Sequence, residues 1–84
     1  MAFNEKMDKE KKTFGALLRN ARKKNGLSQR DVAIKAGQNV RSIQKIENGE
    51  REPRVFLAVR LAIASGMEPG EFFTALAGEM KEAE

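Results

Sequence analysis

The chain of 84 residues contains no cysteine and no histidine. The first absence excludes disulfides and thiolate metal sites; the second removes the usual nitrogen ligand of zinc and the commonest acid-base side chain. Tyrosine is missing too, and the acidic residues fall in predicted caps, loops and the tail rather than in convergent pairs. Enzymatic chemistry, a bound metal and a cofactor are therefore not expected. No apolar run approaches the roughly 18 residues of a membrane span. The amino-terminal stretch MAFNEKMDKEKK is too charged for a secretory signal, so no membrane association and a cytoplasmic location are expected. There is no alternating apolar and polar run long enough for a strand, and no internal repeat. A chain this short buries only about 60% of its unfolded surface, which asks for one compact domain held by packing alone.

What is present is charge, unevenly placed. The formal net charge is +4, yet residues 9 to 60 hold fourteen Lys and Arg against five acids, a balance of +9. Residues 61 to 84 hold Lys81 against five acids, a balance of −4, and residues 1 to 8 contribute −1. A basic block beside an acidic tail suits a polyanion, although a charge run is also what an ordinary solvated face looks like.

Helical periodicity starts at Phe14, Leu17, Leu18 and Ala21, spaced i, i+3, i+4, i+7, with Thr13 as the predicted N-cap. Asn25-Gly26 stops that helix. Ser28 caps a second, Gln29 to Ala36, with Val32, Ala33 and Ala36 inward and Gly37 ending it. A third runs from about Asn39 to Glu47, with Ile43 and Ile46 inside, and stops at Asn48-Gly49. Pro53 is predicted in the first turn of a fourth helix through Ser65, ended by Gly66, and Pro69 in the first turn of a fifth, carrying Phe72, Phe73 and Leu76. Beyond Gly78 the tail is expected to fray. The predicted fold class is all-α, with a charged segment at 1–12 that is either flexible or an extension of the first helix, a domain at 13–78 and an acidic tail at 79–84.

Two helices joined by three or four residues containing a glycine form a corner that can hold one helix proud of the surface. In QRDVAIKAGQNVRSIQKIEN, Ala33 is small where the helices cross, Gly37 suits a turn with positive φ, and Val32, Ile43 and Ile46 fill the space beneath. This stretch resembles the helix-turn-helix of the phage-repressor and Cro-like family, often called the Xre family, from about Phe14 to Phe73. The resemblance rests on LSQ opening the second helix, the Ala-to-Gly spacing, SIQKIENG, a proline shortly after, and GMEPGEFF leading into the last helix.

The resemblance implies a five-helix repressor-like domain whose third helix enters the DNA major groove. It makes Val40, Arg41, Gln44 and Lys45 candidate base readers, with Arg41 suited to guanine, Gln44 to adenine and Val40 offering only apolar contact. It makes Gln29, Asn48, Arg51 and Arg54 candidate phosphate contacts. It also implies a structural pairing of Arg22 with Glu47. Val40 and Gln38 depart from the usual pattern, in which an amide and an apolar residue often stand, so no operator sequence can be borrowed. Ser42 reads as a small spacer.

From Val55 to Ala64 the only charge is Arg60. With Val55, Ala58, Val59, Ala62 and Ser65 assigned to the core, Phe56, Leu57 and Ile63 have no obvious place. Either the fifth helix and the amino-terminal residues Phe3 and Met7 cover them, or they form a protein interface together with Phe72 and Phe73. The simplest interface is a two-fold homodimer reading a palindrome. The expected function is thus a sequence-specific regulator of transcription, a repressor, binding double-stranded DNA as a homodimer. The second reading is an antitoxin-type module gripping a protein partner such as a toxin.

Overall fold

In the computed structural model, residues 3–82 are described, with side-chain surroundings described for residues 7–82. Five helices follow one another: α1 (Phe3–Lys24), α2 (Gln29–Ala36), α3 (Val40–Glu47), α4 (Val55–Ala64) and α5 (Pro69–Glu82). There is no strand among the described residues. Helix α1 packs against α3 and α5, α2 against α3 and α4, and α4 against α5. The centre is filled by Phe14 and Leu18 of α1, Val32 of α2, Ile43 and Ile46 of α3, Leu61 of α4 and Phe72 of α5. Phe14 and Phe72 meet edge to face with ring centroids 5.5 Å apart, the arrangement that aromatic quadrupoles favour.

Several expectations need correction. Thr13 is not an N-cap: α1 begins at Phe3, and Thr13 Oγ1 donates to Lys9 O at 2.8 Å from within the helix. The run between is rich in Lys and Glu, good helix formers, with no Gly or Pro to interrupt them. Pro53 lies outside α4, whose N-cap is Arg54 in an extended conformation without a side-chain cap bond. Helix α5 does not fray after Gly78 but continues to Glu82.

The largest difference is the register of α4. Its buried residues are Leu57, Ala58, Leu61, Ala62 and Ala64, so Val55 and Val59 are exposed and Leu57 is not a surface residue. With apolar side chains nearly all round, the helix carries no stripe of its own, and the packing of α2 and α5 chooses the buried side. The alanines of α4 and the Ala33 and Ala36 of α2 allow these two helices to approach closely. Phe72, expected at an interface, is fully buried, and Phe73 is half-buried against the core. The side chain of Phe3 lies outside the described residues; Met7 is half-buried.

Candidate nucleic-acid interface

The corner between α2 and α3 is built by its caps. Ser28 Oγ accepts from the Asp31 amide at 3.0 Å, and Asp31 Oδ2 accepts from the Ser28 amide at 2.8 Å, a reciprocal capping box. The hydrogen bond from the Ser28 backbone amide first, and then the Ser28 hydroxyl, hold the Asp31 carboxyl below its ordinary value. At the other end Gly37 adopts φ 68°, a left-handed conformation that glycine takes without the cost of a Cβ. Asn39 then caps α3, its Oδ1 accepting from the Ser42 amide at 2.8 Å.

With Ile43 and Ile46 buried, the opposite side of α3 is set. Arg41, Gln44, Lys45 and Asn48 stand at i, i+3, i+4 and i+7, one helical face, and all four are exposed. Among the described residues, Arg41, Gln44 and Lys45 make no side-chain hydrogen bond or ion pair, so their donors are directed to solvent. Val40 differs from the other three candidate readers: it is half-buried and packs against the core. Ser42 is buried and accepts from Arg51 Nη1 at 3.1 Å, so Arg51 is held on the flank of α3 while Arg54 is exposed at the start of α4.

The base of this face is tied to α1 by one carboxylate. Glu47 Oε2 accepts from Arg22 Nε at 2.8 Å and Oε1 from Arg22 Nη2 at 2.9 Å. Gln29 Nε2 reaches the same Oε1 at 3.1 Å, and Arg19 Nε lies 3.4 Å from it. Arg19 Nη2 also donates to Asn48 Oδ1 at 2.9 Å. Burial pushes the Glu47 carboxyl up, but the hydrogen bonds from Arg22 and Gln29 and the Arg22 charge outweigh it and leave the group below its ordinary value. The same hydrogen bond raises Arg22. Gln29, expected at a phosphate, thus has its side-chain amide drawn to Glu47.

Gly15 explains why this can happen so close to α1. A Cβ there would overlap Ile46 O and Glu47 O, the latter 2.7 Å away. Nothing in the apolar periodicity marks Gly15; the signal available was a lone glycine inside a helical run, which asks for a packing reason. The Arg19–Asn48 and Arg51–Ser42 bonds left no sequence signal, because each joins residues from separate elements.

A family model described as helix-turn-helix matches residues 18–72, more than half of the chain. The protein belongs to the Xre and Cro-like helix-turn-helix family of DNA-binding transcriptional regulators. Membership sets it among DNA-binding proteins and not among enzymes. Solved structures share the fold of this helix-turn-helix chain. The restriction-modification controller protein C.AhdI from Aeromonas hydrophila is 31% identical, covers 77% of this chain and 94% of its own, and superposes with a TM-score of 0.71. The clp gene regulator ClgR from Corynebacterium glutamicum is 24% identical over 84% of this chain and 92% of that one, with a TM-score of 0.74; this likeness is one of fold. No curated protein sequence matches the chain. Among the described residues no helix is long and apolar enough to cross a membrane.

Proposed function

We propose that this regulator binds a palindromic operator in double-stranded DNA as a homodimer and represses transcription in the cytoplasm. The exposed face of α3 carries the reading. Arg41, Gln44 and Lys45 present donors with no internal partner, on a helix whose inner side is anchored by Ile43 and Ile46. In the major groove Arg41 is suited to the O6 and N7 of guanine, Gln44 to adenine, and Lys45 to guanine or phosphate. Val40 contributes at most the edge of its side chain, to a thymine methyl. Asn48, Gln29, Arg51 and Arg54 hold the backbone on either side.

The homodimer is supported by α4. Phe56 is 77% exposed, Val55 69% and Ile63 59%, an apolar face that a second copy would cover. A two-fold pair places two recognition helices roughly 34 Å apart, the repeat of successive major grooves. In this arrangement Phe56, Ile63 and the exposed edge of Phe73 belong to the interface, and Leu57 and Phe72 support it from within.

Selection of DNA sites in vitro, with the wild type beside Arg41→Ala, tests the reading. Relaxed preference at one or two positions per half-site is expected. Uniform weakening with unchanged preference would demote Arg41 to a phosphate contact. A reporter placed behind the selected site separates repression from activation. Co-purification of the full chain with a small protein in place of a second copy would favour the antitoxin-type reading.

A further inference from the structure

We infer that Arg19 is a positioning residue for DNA binding, which orients the side-chain amide of Asn48 so that its NH2 group faces a backbone phosphate. The inference rests on the assignment of Asn48 as a phosphate contact made above. Asn48 is the C-cap of α3, exposed at the end of the reading face. Its Oδ1 accepts from Arg19 Nη2 at 2.9 Å. A guanidinium carries donors only, so only the oxygen of an amide can face it. With that oxygen engaged, the two amide hydrogens are what remain to meet an anion. Without Arg19 the amide can turn and present its oxygen to the phosphate, an acceptor against an acceptor.

Arg19 is itself held in place. Its Nε lies 3.4 Å from Glu47 Oε1, on a carboxylate fixed by Arg22 and Gln29. It leaves α1 one turn beyond Gly15, whose missing side chain lets α1 lie on the carbonyls of Ile46 and Glu47. Gly15 therefore sets the distance, Glu47 holds the guanidinium, and the guanidinium sets the amide. Charge alone would have placed Arg19 with its basic neighbours Lys23 and Lys24 as one more cation near DNA; its partners assign it a different task.

The test is a double-mutant cycle on the full chain, with a selected DNA site and a salt titration. Arg19→Met and Asn48→Ala should each weaken binding by about fivefold per half-site, the worth of one ordinary hydrogen bond. The double variant should be no weaker than either, because both remove the same contact. The slope of log affinity against log salt should not change, since a neutral amide releases no counterion. Arg19→Lys keeps a donor and should restore most of the affinity. Asn48→Asp keeps the bridge to Arg19 but loses the amide hydrogens, so it should bind DNA no better than Asn48→Ala while melting no lower than wild type. Two results would overturn the inference: no effect of Arg19→Met, or an equal loss in the Asn48→Ala background with the slope reduced by about 0.9 per contact, the mark of a direct phosphate contact. A wild type without salt-dependent DNA binding would instead remove the functional reading beneath it.

Discussion

Arg22, near the end of α1, and Glu47, in the last turn of α3, are joined by two hydrogen bonds of 2.8 and 2.9 Å across 25 positions of chain. Both residues are buried, so two charges have left water. Their remaining polar atoms are satisfied by Leu27 O on one side and by Gln29 and Arg19 on the other. Among the described residues no buried side-chain nitrogen or oxygen lacks a partner. A pair so placed adds less to stability than its geometry suggests, but removal of one member leaves the other charged and unmatched.

Glu47→Gln is accordingly expected to lower unfolding free energy by about 3 kcal/mol at neutral pH. Urea denaturation followed by circular dichroism measures it. A loss below roughly 0.5 kcal/mol would show that the pair behaves as an exposed one.

Acid should erase the difference. The folded Glu47 carboxyl lies below its ordinary value, so its contribution is complete above the unfolded value of about 4.3. It is lost as pH falls through the lower folded value. Asp31 and Glu68 are lowered as well and act in the same direction. Wild type should therefore lose stability below about pH 4, and the gap between wild type and Glu47→Gln should narrow there. A gap that stays constant to low pH would contradict the assignment.

Gly15 and Gly78 both sit inside helices but should respond oppositely to alanine. A Cβ at Gly15 meets two backbone carbonyls that cannot withdraw, whereas one at Gly78 meets nothing within 4 Å. Gly78→Ala should stabilise by about 0.5–1 kcal/mol through helix propensity. Gly15→Ala should destabilise by about 1–3 kcal/mol, the usual cost of overpacking. Thermal melts of the two variants decide the matter, and a stabilised Gly15→Ala would mean that α1 and α3 are not so close.

On α4, neighbouring residues should separate association from folding. Phe56→Glu places a charge on an exposed face and should shift sedimentation from dimer to monomer at micromolar concentration with the fold intact. Leu57→Glu buries an unpaired charge in the core and should unfold the chain. A monomeric wild type would exclude the homodimer.

Electrostatics predicts the salt response. If about six phosphates are neutralised per dimer, log affinity should fall with log salt at a slope near −5. Fluorescence anisotropy over a range of salt concentrations gives the slope directly, and a flat response would set aside the role of the basic block.

The two helices that make the corner are legible in the sequence because each is marked at both ends. Ser28 and Gly37 bracket α2, Asn39 and Asn48 bracket α3, and Ile43 and Ile46 show which side of α3 turns inward. Helix α4 was misread for the opposite reason. Nine of its ten residues are apolar, so no polar stripe corrects the choice of Val55 and Val59 as inner residues over Leu57 and Leu61. Phe72 shares the fifth helix with Phe73 and so falls with the expected interface in the sequence, yet its ring completes an edge contact with Phe14, which lies 58 positions away in the chain. The beginning of α1 was missed because Thr13 looks like a cap, although the lysines and glutamates before it serve a helix as well as a loop. At the site, Ile43 and Ile46 give the outward direction of Arg41, Gln44 and Lys45 but not the half-buried position of Val40; the partners of Arg19, Gln29 and Arg51 belong to tertiary structure.

The shared carboxylate of Glu47 has a consequence for control. Two of the groups proposed to touch DNA, Gln29 directly and Asn48 through Arg19, hang from the same carboxylate that ties α1 to α3, so they have no separate hinge on which to loosen. Heating should release DNA and melt the helices in one step, with coincident midpoints. The cell would adjust its output by counting molecules, through synthesis, dilution and degradation, more than by bending the ones it has.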